Sequence, residues 1–153
     1  MQLTPHFTLA EMTASTTARR LGLDNTPTDE ALANLQRTAE MLERIRTHLG
    51  GKAIIVTSGY RGRQVNQAVG GATSSDHMSG QAADIQVPAY GKPYDVAKAL
   101  APHIDALGIG QVIYEVNGNS HWVHVSTRVP AKQSNRVITI AVGRGQYLGV
   151  QRV

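Results

Sequence analysis

Two stretches of this chain hold the side chains best suited to chemistry. They are Ser75-Asp76-His77-Met78-Ser79-Gly80-Gln81-Ala82-Ala83-Asp84 and His121-Trp122-Val123-His124-Val125. Each carries residue types that ligate zinc, and no cysteine competes for that role. Two imidazoles and a carboxylate, with one coordination position left open, make the donor set of a hydrolytic zinc site. Asp84 sits at the start of an apolar run, between Ala83 and Ile85. A carboxylate there is costly to bury without a strong partner, and a cation supplies one. His124 alternates with Trp122, leaving Val123 and Val125 on the opposite face of a strand. Taken alone, the second stretch fits a half-buried strand histidine satisfied by a hydrogen bond equally well. His6, His48 and His103 lie in the opening segment, at a helix end and near a proline, where surface or capping roles are the ordinary expectation.

The elements that must position these residues can be read in order. Residues 1–25 form a turn-rich opening with a short helix around Leu9–Met12. Thr26-Pro27-Thr28-Asp29 reads as a helix start, with a threonine cap, proline at the first helical position and an acid three residues after the cap. Leu32, Leu35, Ala39, Leu42, Ile45 and Leu49 then fall on one helical stripe, which Gly50-Gly51 ends. Ala53–Thr57 is a β-branched strand, followed by the turn Ser58-Gly59-Tyr60-Arg61 and a short helix near Arg63–Ala68. Residues 70–80 read as a loop, Ala82–Val87 as a strand, and Asp95–Leu107 as a helix interrupted or kinked at Pro102. Gln111–Val116 and His121–Ser126 are strands of a hairpin around Asn117-Gly118-Asn119. Val137–Val142 is a last candidate strand. This order predicts an α+β fold with a mostly antiparallel sheet flanked by helices, in a single domain over residues 1–153.

Composition narrows the class. Hydrophobic content of 41% with 17% charged residues suits a globular chain rather than a disordered one. Aromatic content of 5% argues against a sandwich built on large rings. No stretch approaches the roughly 20 apolar residues that span a bilayer, so no membrane partner is expected. The N-terminus has neither a basic start nor an apolar run, so no signal peptide is expected. A net charge of +4 favours polyanions such as nucleic acid or the anionic polymers of a bacterial wall. The basic residues are dispersed, apart from a loose C-terminal group at Arg128, Lys132, Arg136, Arg144 and Arg152, and a solvated surface accounts for most of them. Without an aromatic-interleaved basic patch, nucleic acid is not an expected partner.

The pattern Ser-x-His-x-x-Gly-x-Ala-x-Asp, preceded by Ser-Gly-Tyr-Arg and followed by a Trp-x-His strand, resembles the zinc D-alanyl-D-alanine carboxypeptidase family of the LAS metallopeptidases, which have the Hedgehog/DD-peptidase fold. The similarity runs from about Phe7 to Ser126, and Phe7-Thr8-Leu9-Ala10-Glu11-Met12 resembles the opening of phage and prophage members. The resemblance implies His77, Asp84 and His124 as ligands of one zinc ion. It implies Arg61 as the group that binds a substrate carboxylate or stabilises the oxyanion, and Ser75 as a support for substrate or the ligand loop. Peptidoglycan stem peptides would be the substrate, cut by a carboxypeptidase or by an endolysin-type endopeptidase. The protein would be made in the cytoplasm and act at the bacterial wall as a phage lysin or virion-associated enzyme, and as a monomer. A catalytically inactive metal- or peptide-binding module on the same fold is the alternative.

One departure from that family concerns the general base. Relatives place an acid three residues before the last histidine, where this chain has His121. Imidazole can serve as a base near neutral pH, but Glu115 competes, and hairpin geometry helps choose. A two-residue loop, Asn117-Gly118 or Gly118-Asn119, pairs Glu115 with Ser120 or Trp122 and puts it on the face of His124. A three-residue loop pairs Glu115 with His121, and both then face away. Two-residue loops containing Asn-Gly are favoured, so Glu115 is the expected base, with His121 as a supporting donor or alternative base.

Overall fold

A computed structural model describes residues 1–153. The N-terminal segment forms a small hairpin, β1 (Gln2–Thr4) with β2 (Phe7–Thr8), then helices α1 (Leu9–Thr13) and α2 (Thr16–Leu21). Helix α1 is nucleated by a capping box: Glu11 N–H donates to the Thr8 hydroxyl, and the Glu11 carboxylate accepts from Thr8 N–H. Helix α3 (Asp29–His48) follows. Its start corrects the sequence reading. Thr28, not Thr26, is the cap, its hydroxyl accepting from Ala31 N–H, and Pro27 precedes the helix. Asp29 and Glu30 then occupy the first turn, where acids suit the helix dipole.

The main sheet has six strands in the order β3 (Ile55–Ser58), β4 (Ala82–Gln86), β6 (Ser120–Ser126), β5 (Gln111–Asn117), β7 (Val137–Ala141) and β8 (Gly145–Leu148). All neighbours are antiparallel except β5 and β7, so the expected α+β, mostly antiparallel architecture is what forms. Helix α4 (Arg63–Ala68) follows β3, and a 3-10 turn (Asp76–Ser79) precedes β4. Helix α5 spans Pro93–Leu100, earlier than expected, with Pro93 in its first turn; a 3-10 turn at Ala101–His103 replaces the expected kinked continuation. Proline at 102 removes a backbone donor and stops the α-helical ladder there. Strands β7 and β8 extend the same sheet beyond the segment that carries the motifs.

One face of the sheet makes the core. Ala83, Ile85, Val112, Tyr114, Val116, Val123 and Val125 pack with Leu35, Ala39, Leu42 and Ile45 of α3 and with Val96, Ala97 and Leu100 of α5. Each large side chain fully buried there contributes about 1.5–3 kcal/mol of transfer free energy. Strand alternation sends the residues in between, Asp84, Glu115, Trp122 and His124, to the other face. Helices thus cover one side, and the polar set is left for the loops around α4 and the 3-10 turn.

Candidate metal centre

The 3-10 turn places His77. Ser75 caps it, its hydroxyl accepting from His77 N–H at 3.2 Å, and Gly80 ends it in the left-handed region (φ 78°). Gly80 is required twice over, since a Cβ there would stand 2.5 Å from the Ala31 carbonyl oxygen of α3. Asn34 and Thr38 of α3 hold the same turn, donating to the Ser79 and Gly80 carbonyls at 2.9 and 2.7 Å. Gly59 shows a second close approach. Its hypothetical Cβ would lie 2.2 Å from the Met12 carbonyl oxygen. Its own carbonyl accepts from His77 Nδ1 at 2.7 Å, leaving Nε2 to face the strand. A histidine fixed through one nitrogen to a backbone carbonyl is oriented for a metal at the other.

Asp84 pairs with His124 across β4 and β6, so both side chains leave the sheet side by side. Asp84 Oδ1 lies 3.2 Å from His77 Nε2 and 3.1 Å from His124 Nδ1. The three ligating atoms fall within 4.8 Å of one another, and all three residues are buried. Donors bound to zinc at about 2.0–2.1 Å in a tetrahedron stand about 3.3 Å apart, so these spacings fit the ion. Two imidazoles and one carboxylate leave a fourth position open, the arrangement of a catalytic rather than a structural site.

Electrostatics describe the same cluster. Burial alone would raise the Asp84 carboxyl pKa, but the charge and hydrogen bonds of His77 and His124 hold it well below the ordinary carboxylate range. Burial pushes His124 down, yet its hydrogen bond to Asp84 and the nearby carboxylates win, and its pKa is raised. The protein without metal therefore favours a proton where a cation would sit.

Glu115 pairs with Trp122, because the hairpin closes through the two-residue loop Gly118-Asn119 with Asn117 opposite Ser120. Gly118 supplies the positive φ (60°) that the tight turn needs. Glu115 consequently stands on the metal face, beside the cross-strand pair of Ile113 and His124. Burial and the Asp84 charge raise its pKa, partly opposed by His124 and Arg61. His121 pairs instead with Val116, on the core side, and its Nδ1 and Tyr114 Oη share a 2.6 Å hydrogen bond. The geometry does not bring His121 to the cluster. Its parity differs from that of His124 by one, and the expectation of His121 as alternative base is corrected on that ground.

Arg61 follows Gly59 and Tyr60, and its N–H donates to the His77 carbonyl at 3.1 Å. Its guanidinium approaches Ser75 Oγ at 3.5 Å, the outer limit of a hydrogen bond, and its Nε is buried with no partner. Burial lowers its pKa, partly opposed by the charges of Asp84 and Glu115. Asp76 is a residue that the sequence did not mark. Its carboxylate accepts from Ser126 Oγ at 2.9 Å and from Arg128 Nε at 2.6 Å, fastening the His77 turn to the end of β6. Only an acid next to the motif histidine hinted at it.

Residues 5–126 match the family described as peptidase M15. The chain belongs to the peptidase M15 family. A 55-residue stretch is also 44% identical to the zinc D-Ala-D-Ala carboxypeptidase of Streptomyces albus G, covering 36% of this chain and 22% of that protein. The chain thus aligns with about a fifth of the relative's length. The match to the family runs from the turn before β2 to the end of β6 and so includes every residue of the metal trio.

Proposed function

We propose that this M15 chain is a zinc peptidase that hydrolyses peptide bonds in the stem peptides of bacterial peptidoglycan. The observation that carries the reading is the buried His77–Asp84–His124 trio with Glu115 on the same face of the sheet. A zinc ion held by the trio would supply a Lewis acid for the scissile carbonyl and lower the pKa of a bound water to ~7. Glu115 takes a proton from the attacking water and returns it to the departing amine. Burial tunes the carboxylate for this, since a base must also be able to act as an acid in the second half of the reaction. Arg61 offers its guanidinium charge either to the developing oxyanion or to a terminal carboxylate of the peptide. Ser75 holds the His77 turn and borders the guanidinium.

The Streptomyces relative, a D-Ala-D-Ala carboxypeptidase, favours trimming of a terminal D-alanine, and cleavage within the stem is the other specificity that the same groups support. The +4 charge suits action at an anionic wall, as a phage lysin or virion-associated enzyme. Mass spectrometry of purified peptidoglycan fragments after digestion tests the proposal. Loss of one D-alanine marks the carboxypeptidase, and an internal cut marks the endopeptidase. Intact fragments after incubation with zinc-loaded protein would refute peptidase action on the wall.

A further inference from the structure

A cavity of about 810 Å³ lies at the end of the sheet where β4 leaves and β6 begins. Gln86 and Trp122, each two residues along from a member of the metal trio, form one wall. The other wall comes from the start of α5 and the core-side residues Tyr114 and His121, with Arg152 reaching in from the C-terminal segment. The cavity therefore wraps around the sheet's end, next along β4 and β6 from Asp84 and His124.

Its lining is rich in donors and poor in acceptor charge. Lys92 and Arg152 bring two permanent positive charges, and no aspartate or glutamate lines the cavity. Asp95, in the first turn of α5, has one carboxylate oxygen engaged by Lys92 N–H at 2.9 Å. The Arg152 guanidinium lies 3.9 Å from the Tyr94 ring centroid, and Tyr94 packs edge-on against Tyr114. This stacking holds in one place a charge that would otherwise be spread over many rotamers. Trp122 lines the same cavity.

We propose that this cavity is a subsite for a second carboxylate of an acidic peptide substrate, displaced from the scissile bond, and that it makes the enzyme selective for such peptides. The inference rests on the peptidase reading above and adds the chemistry of the substrate. A carboxylate there meets a fixed guanidinium and an ammonium, both charge-assisted donors. Stem peptides carry a group of this kind on their γ-linked glutamate, which also occurs as the neutral amide.

Trp122 is the chain's one tryptophan, so intrinsic fluorescence reads the cavity wall whether or not a bond is cut. Zinc-loaded protein is titrated with L-Ala-γ-D-Glu-L-Lys-D-Ala-D-Ala and with its isoglutamine counterpart, which share the terminal carboxylate and differ only in the second one. The free acid should bind about tenfold tighter, the size of a charge-assisted pair, and less so at high salt. The ratio should fall towards one in Lys92→Gln and Arg152→Gln, both at exposed positions, while Arg20→Gln on α2 keeps it. Equal affinities, no binding of either peptide, or a preference that survives the combined Lys92→Gln and Arg152→Gln change would overturn the subsite. Tighter binding of the acid without hydrolysis of either peptide would uphold the subsite and remove the peptidase reading. Hydrolysis of both with equal affinity would do the reverse.

Discussion

Asp76 Oδ2 accepts a 2.9 Å hydrogen bond from Ser126 Oγ and thereby joins the turn carrying His77 to the strand carrying His124, two elements 50 residues apart in sequence. The Arg128 guanidinium completes the clamp from outside. Asp76 touches no ligating atom, so its effect on the centre is positional. Groups that orient metal ligands typically alter affinity by about 10–100-fold when removed. Asp76→Ala should weaken zinc binding by that order, read by competition with a chromophoric chelator, and Asp76→Asn should restore part of it by keeping the Ser126 bond. Unchanged zinc affinity in Asp76→Ala would assign the clamp to folding alone.

Glu115→Gln keeps the volume and removes the base. Zinc content should stay near one per chain while kcat falls by about 10²–10⁴, the usual share of general base catalysis. A nearly wild-type rate in this variant would move the base role off Glu115.

Zinc uptake should be steeply pH-dependent. In the metal-free protein, Asp84 and the nearby carboxylates raise the His124 pKa above that of an ordinary imidazole. Below that raised value the ring must release its proton before it can bind metal, so affinity falls by about tenfold per pH unit for that one proton. Above it, the penalty vanishes. Calorimetry in buffers of different ionisation enthalpy counts the released protons. The release should approach one from this ring on the acid side and decline as the pH rises through the His124 pKa.

Removing zinc with a chelator should lower the melting temperature without unfolding the chain at room temperature. Asp84 already satisfies both imidazoles, and the core lies on the other face of the sheet. With free zinc at a thousand times Kd, binding adds about 4 kcal/mol, or about 10 °C for a chain of this size. Thermal scans with and without zinc measure the difference.

Gly80→Ala should harm fold and centre together. The added methyl would meet the Ala31 carbonyl oxygen at 2.5 Å, on a backbone whose φ of 78° disfavours any side chain. Strain of these two kinds costs about 2–4 kcal/mol. Denaturant melts should show that loss, and zinc affinity should fall because His77 rides on the same turn.

Much of this was legible in the residues. The stripe from Leu32 to Leu49 gave α3 because helical periodicity is written in side chains. The parity of Glu115 followed from a two-residue turn, because alternation in a hairpin is arithmetic. The cap of α3 was misplaced by two residues, since Thr26 and Thr28 both precede an acid and only the tertiary setting chooses between them. Strand β8 gave no signal because Gly145–Leu148 is exposed throughout and shows no alternation. Helix α2 was too short to show a period. The Gly59 carbonyl that orients His77 was invisible for another reason: every residue has a carbonyl, and only the fold decides which one is near.

The sheet also acts as a partition one backbone thick. Cohesion is stored on the side of α3 and α5, and reactivity is displayed on the other, through alternate residues of the same strands. Exchanging the polar strand residues at 84, 115 and 124 therefore leaves the helix-facing packing of those strands untouched. A lineage built on this scaffold can retune, redirect or erase its chemistry without having to learn to fold again.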